Sequence, residues 1–353
     1  VIGWEIARRH TGAFLAACAF LLLLLLVLHI VVGTVDMTVQ QVVAALVNRA
    51  EDPLHHQVVW ELRLPRALVA ILAGGMLGLA GAIMQTVTRN PLADPGLLGI
   101  SAGGVLAVVM WIVLGSGEGT GGVDGGLILP LLAFLGGMAA GLVVYLLSWT
   151  GGVDSTRLVL TGVLVGSLCS AFTTVLMLWA DEQNVLRIVR WTIGSTSGRV
   201  WLHWHTIWPV ALAAVPLGLA CAGLANALQL GDGIAAGLGL RVARVRLLLL
   251  ALATLLTAGA VAVVGAIGFI GLIGPHMARR LMGGDVRRLY PASMLLAAAL
   301  LLAADIAART MTIGWMGAVT GLDIPEAAGL PVGAVTALLG APFFLSLLLR
   351  RRR

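Results

Sequence analysis

The sequence predicts an all-α, polytopic integral membrane protein, and three observations carry that prediction. Of the 353 residues, 59% are hydrophobic and 11% are charged, against roughly 25% charged in a soluble domain. Apolar runs of about twenty residues recur at 13–32, 67–84, 97–115, 127–148, 158–180, 207–228, 247–274, 291–304 and 332–349. Each can cross a hydrocarbon core of about 30 Å as a helix, because lipid leaves every backbone donor to be satisfied inside the segment. Finally, the arginines fall at the ends of these runs instead of along one soluble face.

Taken in order, the first run follows Arg8 and Arg9 and lacks a small-x-small cleavage site, so it reads as a retained span. Residues 35–50 carry Val39, Val42, Val43 and Leu46 among polar neighbours and read as a short amphipathic surface helix. A glycine-rich outer loop follows at 115–126, and 181–205 is a longer outer segment with room for a short helix.

The run at 247–274 is ambiguous, and charge decides it. With the amino terminus in the cytoplasm, the loop carrying Arg241, Arg244 and Arg246 falls inside. One crossing would then put Arg279, Arg280, Arg287, Arg288 and the tail 350–353 outside; two crossings return all eight to the cytoplasm. The break is expected at Gly265 to Gly268, and the second crossing is expected to end near Pro275. That leaves about ten residues, roughly 15 Å of helix, too short to face lipid alone. The result is ten transmembrane helices with a short, broken eighth crossing and both termini cytoplasmic. Fifteen arginines lie inside and seven outside. Glycines four apart, at Gly74/Gly78, Gly99/Gly103, Gly137/Gly141 and Gly162/Gly166, predict close helix packing. Residues 1–353 read as one permease domain with no separable soluble part.

Composition also removes function classes. All 22 basic residues are arginine, so a P-loop, which needs lysine on the phosphates, is excluded and any ATP must be hydrolysed by a partner subunit. The net charge of +6 is topological and implies no nucleic-acid partner. Cys18, Cys169 and Cys221 sit apart inside apolar runs, without metal or disulfide spacing. His55, His56, His203 and His205 read as polar loop residues, His276 as an anchor after the eighth crossing, and Trp149, Trp179 and Trp208 as interfacial belt. Asp305 and Arg309, four apart, are expected to neutralise each other. No catalytic set, metal site or bound cofactor is expected.

Three segments interrupt the apolar background. They are Arg63-Leu64-Pro65-Arg66, followed by Gln85 and the stretch from Asn90-Pro91-Leu92 to Gly99; Gly265 to His276; and Leu330-Pro331-Val332-Gly333 to Phe344. At these points the chain resembles the FecCD permease family, the membrane subunits of ATP-driven importers for ferric siderophores, haem and cobalamin. Weaker echoes stand at 191–195 and 231–240, and one departure lies between Arg309 and Leu330, where Gly329 holds a position usually occupied by glutamate.

The resemblance implies roles residue by residue. Arg63, Arg66 and Arg309 would receive glutamates of a periplasmic or lipoprotein substrate-binding protein. Asn90 and Leu92, with Ser155 and Thr156, would form the inner gate; read from the residues alone, Asn90 to Gly99 is equally a rigid connector. Residues 231–246, with Gly231, Asp232, Ala235, Gly237, Leu238, Gly239 and Arg241, would be the segment that docks on the ATPase, while its arginines also suit anionic lipid. The family implies a homodimer with two ATP-binding subunits in a bacterial inner membrane. A secondary transporter driven by ions is the competing class, for which Asp305 is the main intramembrane carboxylate.

Overall fold

The computed structural model describes residues 11–33, 35–49, 52–115, 126–149, 155–320 and 330–350. Arg8, Arg9, the glycine-rich stretch 116–125, Gly329 and the last three arginines lie outside the described residues. The chain runs through α1 (Thr11–Val31), α2 (Val39–Leu46) and α3 (Pro53–Gln57), and a π-helical stretch (Val58–Arg63) leads into α4 (Leu64–Val87). After a 3-10 turn (Pro95–Leu98) come α5 (Ile100–Leu114), α6 (Ile128–Ser148), α7 (Ser155–Met177) and α8 (Glu182–Ile193). Next are α9 (Trp201–Ala220), α10 (Ala222–Gln229), α11 (Asp232–Gly237) and α12 (Val242–Val264). The last are α13 (Ile270–Met282), α14 (Val286–Thr320) and α15 (Val332–Arg350).

Among the described residues, six helices are long and apolar enough to cross a membrane, or seven if α9 and α10, bent by 48°, form one span. The chain is therefore a multi-pass membrane protein. α5, α13 and α15 are shorter apolar pieces packed with them. The expected amphipathic helix is α2, opened by a reciprocal capping box between Thr38 and Gln41 that satisfies two orphan N–H groups. α8 fills the outer segment. Beyond Arg309 the chain continues as helix to Thr320, so α14 extends into the stretch before Leu330 where the sequence departs from the family pattern.

α4 is the axis of the bundle, buried almost without interruption from Ala67 to Val87. Its small residues permit this: a Cβ at Gly78 would lie 2.4 Å from the Ala297 Cβ and 2.5 Å from the Ser293 carbonyl of α14. Without a hydrophobic drive between helices in lipid, such backbone proximity is what holds them together. In contrast, α1, α6 and α7 leave Leu23, Leu24, Leu131, Leu142, Leu160 and Leu164 exposed, a surface that belongs in lipid or against another subunit.

The helix break falls at 265–269. Gly265 is left-handed (φ 74°), and a side chain there would lie 2.8 Å from the Trp191 carbonyl. The backbone groups released by the break find partners: the Ser195 amide donates to the Val264 carbonyl (2.8 Å) and the Ala266 amide to Trp191 (3.2 Å). Polar backbone at membrane depth survives only when protein satisfies it in this way. The second piece does not stop near Pro275. α13 carries Pro275 and His276 in its interior and ends at Met282; the carbonyl that Pro275 leaves without an amide, Gly271, faces Gly81 of the buried α4.

α13 delivers Ala278 and Met282 to a cluster with Phe14 and Leu15 of α1 and Leu289 of α14. It therefore ends at the end of the bundle where α1, α12 and α14 begin. The broken pair α12–α13 returns the chain to the end it left.

Candidate functional site

Two polar clusters sit at opposite ends of the bundle. At the end where α4 finishes, Asn90 accepts from the Leu92 amide (3.0 Å) and fixes the turn that follows α4. Ser155 Oγ reaches the Val87 carbonyl at 3.5 Å, which brings the start of α7 against that turn. Asn90, Leu92, Ser155 and Thr156 are thus gathered at one end, with Asn90 and Thr156 exposed. At Gly99, left-handed with φ 71°, the turn presses on α7 beside Gly162 and Gly166.

The same end carries α11. Only Ala235 of residues 231–241 is buried; Asp232, Gly237, Leu238, Gly239 and Arg241 are exposed, and Gly231 is half-buried. Ile234 and Leu238 stand 57% and 63% exposed, a pair of apolar knobs on a glycine-rich surface. Asp232 is held from within the chain: Arg89 pairs with its Oδ1, and Arg246 Nη2 lies 3.0 Å from Oδ1 and 3.2 Å from Oδ2.

At the opposite end Asp305 is fully buried and accepts four hydrogen bonds. Arg66 donates twice (2.9 and 2.7 Å), His29 Nε2 is 2.7 Å away, and the Thr196 hydroxyl completes the set. The network ties α1, α4, α14 and the segment after α8 together. The expected Asp305–Arg309 pairing is corrected by this geometry. Arg66 takes the carboxylate through a planar fork from another helix, and Arg309 instead donates to the carbonyls of His29 and Val32 (both 3.2 Å). Arg63 donates to the carbonyls of Ile30 (2.7 Å), Val31 (2.9 Å) and Val35. These two guanidiniums cap the carboxyl end of α1, whose last carbonyls have no helical partner. Arg63, Arg66 and Arg309 therefore cluster at one end and all point inward; Arg63 and Arg309 are buried, and Arg66 shows 16% of its side chain to solvent.

His29, Thr196 and Arg89 are structural participants that sequence reading passed over. His29 had a signal, a lone polar residue at the end of a leucine run; Thr196 and Arg89 had none. His203 lies beside Arg199 (3.2 Å), and His276 packs edge-on against Phe343 (5.7 Å). Among the described residues no three histidine, cysteine or acidic side chains converge as a metal site.

Between the two ends, a cavity of about 150 Å³ is lined by Leu77, Asp94, Pro95, Ser101, Thr257 and Gly268, where the turn after α4 meets the break after α12. Pockets for drug-sized ligands run to about 300 Å³ or more, so this one does not accommodate a large chelate.

A model of the FecCD transport family matches residues 21–350. The chain belongs to that family. The hemin transport system permease protein HmuU of Yersinia pestis is 38% identical over 342 residues, covering 94% of this chain and 95% of that protein. The Fe(3+) dicitrate transport system permease protein FecC of Escherichia coli is 35% identical, covering 87% of each. Among solved structures, an inward-facing conformation of a metal-chelate type ABC transporter overlays with a TM-score of 0.81 at 29% identity, covering 96% of this FecCD chain and 99% of its own.

Proposed function

We propose that this FecCD chain is the permease of an ATP-driven importer that moves a ferric chelate, haem or siderophore, across a bacterial inner membrane. The near full-length match to a hemin permease carries the reading. Two copies would form the pathway between them. The chain would cross ten times with both termini cytoplasmic, bind no cofactor of its own, and rely on two ATP-binding subunits. The α11 segment supports that partnership, since Ile234 and Leu238 expose apolar surface at the end assigned to the cytoplasm. Asn90, Leu92, Ser155 and Thr156 would close the pathway there. An ion-coupled mechanism finds little support, because the Asp305 carboxylate is already occupied by Arg66, His29 and Thr196.

Docking of a periplasmic or lipoprotein binding protein on Arg63, Arg66 and Arg309 belongs to the same proposal; its support is the cluster of positive charge around one carboxylate. Because those guanidiniums also hold helix ends, the clean test neutralises acidic residues on the binding protein instead. Affinity for the permease should weaken about tenfold or more; unchanged affinity would remove the docking role. For transport itself, the permease is reconstituted in proteoliposomes with its ATPase and binding protein, and uptake of haem, a ferric siderophore and cobalamin is compared. Uptake of an iron chelate that requires ATP is expected. Uptake driven by an ion gradient without ATP would overturn the proposal.

A further inference from the structure

Asp232 is the only acidic residue between Glu182 and Asp285, and it begins α11. A carboxylate on a docking segment would ordinarily face its partner protein. Here it is engaged by its own chain, by Arg89 just past the end of α4 and Arg246 in the second turn of α12. Arg89 is also fastened to α10, donating from Nε (3.1 Å) and Nη2 (2.8 Å) to the Leu228 carbonyl. Its backbone is left-handed (φ 52°), uncommon for a side chain of this size, so the chain turns sharply where these bonds hold it. The next residue is Asn90, which fixes the turn that runs on to Gly99 and leans on α7.

Arg89, two residues past the end of α4, is the point at which α11 is bonded to the turn that follows that helix. The path consists of named bonds: Asp232 to Arg89, then one peptide to Asn90, then the turn that carries Leu92. Arg246 holds the same carboxylate from α12 and keeps it between the two helices. A second polar contact nearby points the same way. Asn226 of α10 donates to Asp285 (2.8 Å) and accepts from the Val286 amide (2.8 Å), which fastens the start of α14 to the helix that leads into α11.

We propose that the Arg89–Asp232–Arg246 ion triad is the linkage that transmits movement of α11 to the turn at 88–99, so that Asp232 and Arg89 are positioning residues of the inner gate. The proposal rests on the reading of α11 as the segment that docks on the ATPase. It assigns Asp232 inward, to the gate, and leaves the exposed Ile234 and Leu238 to the partner.

The test uses the assembled transporter, permease with ATPase and binding protein, in proteoliposomes, with cargo uptake and ATP hydrolysis measured together. In Arg89→Gln, cargo moved per ATP should fall about fivefold or more while the ATPase stays assembled, and Asp232→Asn should lower the same ratio. The exchange Arg89→Asp with Asp232→Arg should recover at least about half of it, the signature of a direct pair. Arg89→Lys keeps the charge but loses the two-pronged hydrogen bond to the Leu228 carbonyl, and should stay within about twofold of the unaltered protein. It also decides the matter if Arg89→Gln does not fold. An unchanged ratio in Arg89→Gln, no recovery in the exchange, loss of the assembled ATPase, or a fall in Arg89→Lys equal to that in Arg89→Gln would each overturn the linkage. If the unaltered protein shows no ATP-dependent uptake, the underlying reading of α11 fails instead.

Discussion

Asp305 and Asp232 are both carboxylates held by arginine, yet the first side chain is 0% exposed and the second 51%. At the Asp305 end every partner comes from a different element, and the carboxylate itself is closed from water. At the Asp232 end the carboxylate and Arg89 lie at the surface beside a short helix with little of its own packing, and Arg246 alone reaches them from a buried position. The difference is one of medium. A buried ion pair is hard to break because each partner, once alone, is left charged without solvent; an exposed one exchanges with water at small cost. One end is built as a clamp and the other as a joint that can move.

Removing each carboxylate in turn is the strongest attempt to break this comparison. Asp305→Ala strands Arg66 and His29 and should destabilise the protein by about 3 to 5 kcal/mol, whereas Asp232→Ala should cost at most about 1 kcal/mol. Unfolding in detergent, followed by heat or denaturant, reads both, and equal losses would erase the distinction. A smaller effect sharpens the account of the clamp. Arg66→Lys keeps the charge but replaces the two-pronged contact with a single point, for an expected loss of about 1 kcal/mol. No loss would mean that charge alone matters there.

The smallest effects concern conditions. Burial pushes the Asp232 carboxyl up, but the Arg89 hydrogen bond and the charges of Arg246 and Arg89 more than offset it and hold it below its ordinary 3.8. A carboxylate with a lowered pKa contributes above the ordinary value and loses that contribution as pH falls through the lowered one. The Asp232 pairs should therefore be insensitive to pH between about 5 and 8. Salt should act instead, since exposed charges are screened over about 10 Å at 0.1 M. Cargo moved per ATP should decline modestly between about 0.05 and 0.5 M salt, while thermal stability set by Asp305 stays level.

Much of this architecture was legible because lipid makes simple demands. The apolar runs marked the long helices, arginine placement called for a return within 247–274, and weak helix propensity put the break at Gly265 to Gly268, where the helix is interrupted. What escaped was the pairing between elements. Nothing in local spacing distinguishes Arg309, four residues from Asp305, from Arg66, which approaches from α4 with its fork already aimed. Pro275 misled for a related reason: it stops a helix in water, but buried beside Gly81 its disrupted carbonyl does not force an end. The segments 90–99, 155–156 and 231–241 could be singled out from the sequence, but the bonds joining Asp232 to Arg89 could not, because residues 143 apart in sequence meet only through the fold.

α1 adds a consequence in time. Its leucines are largely exposed, and its polar residue His29 finds its carboxylate 276 positions further along the chain. At a synthesis rate of about 5 to 20 residues per second, the interval between the two is on the order of ten to fifty seconds. During biogenesis the helix must reside in the bilayer by its own oiliness, with the imidazole waiting near the headgroups, until α14 is made and the latch that fixes its register can close.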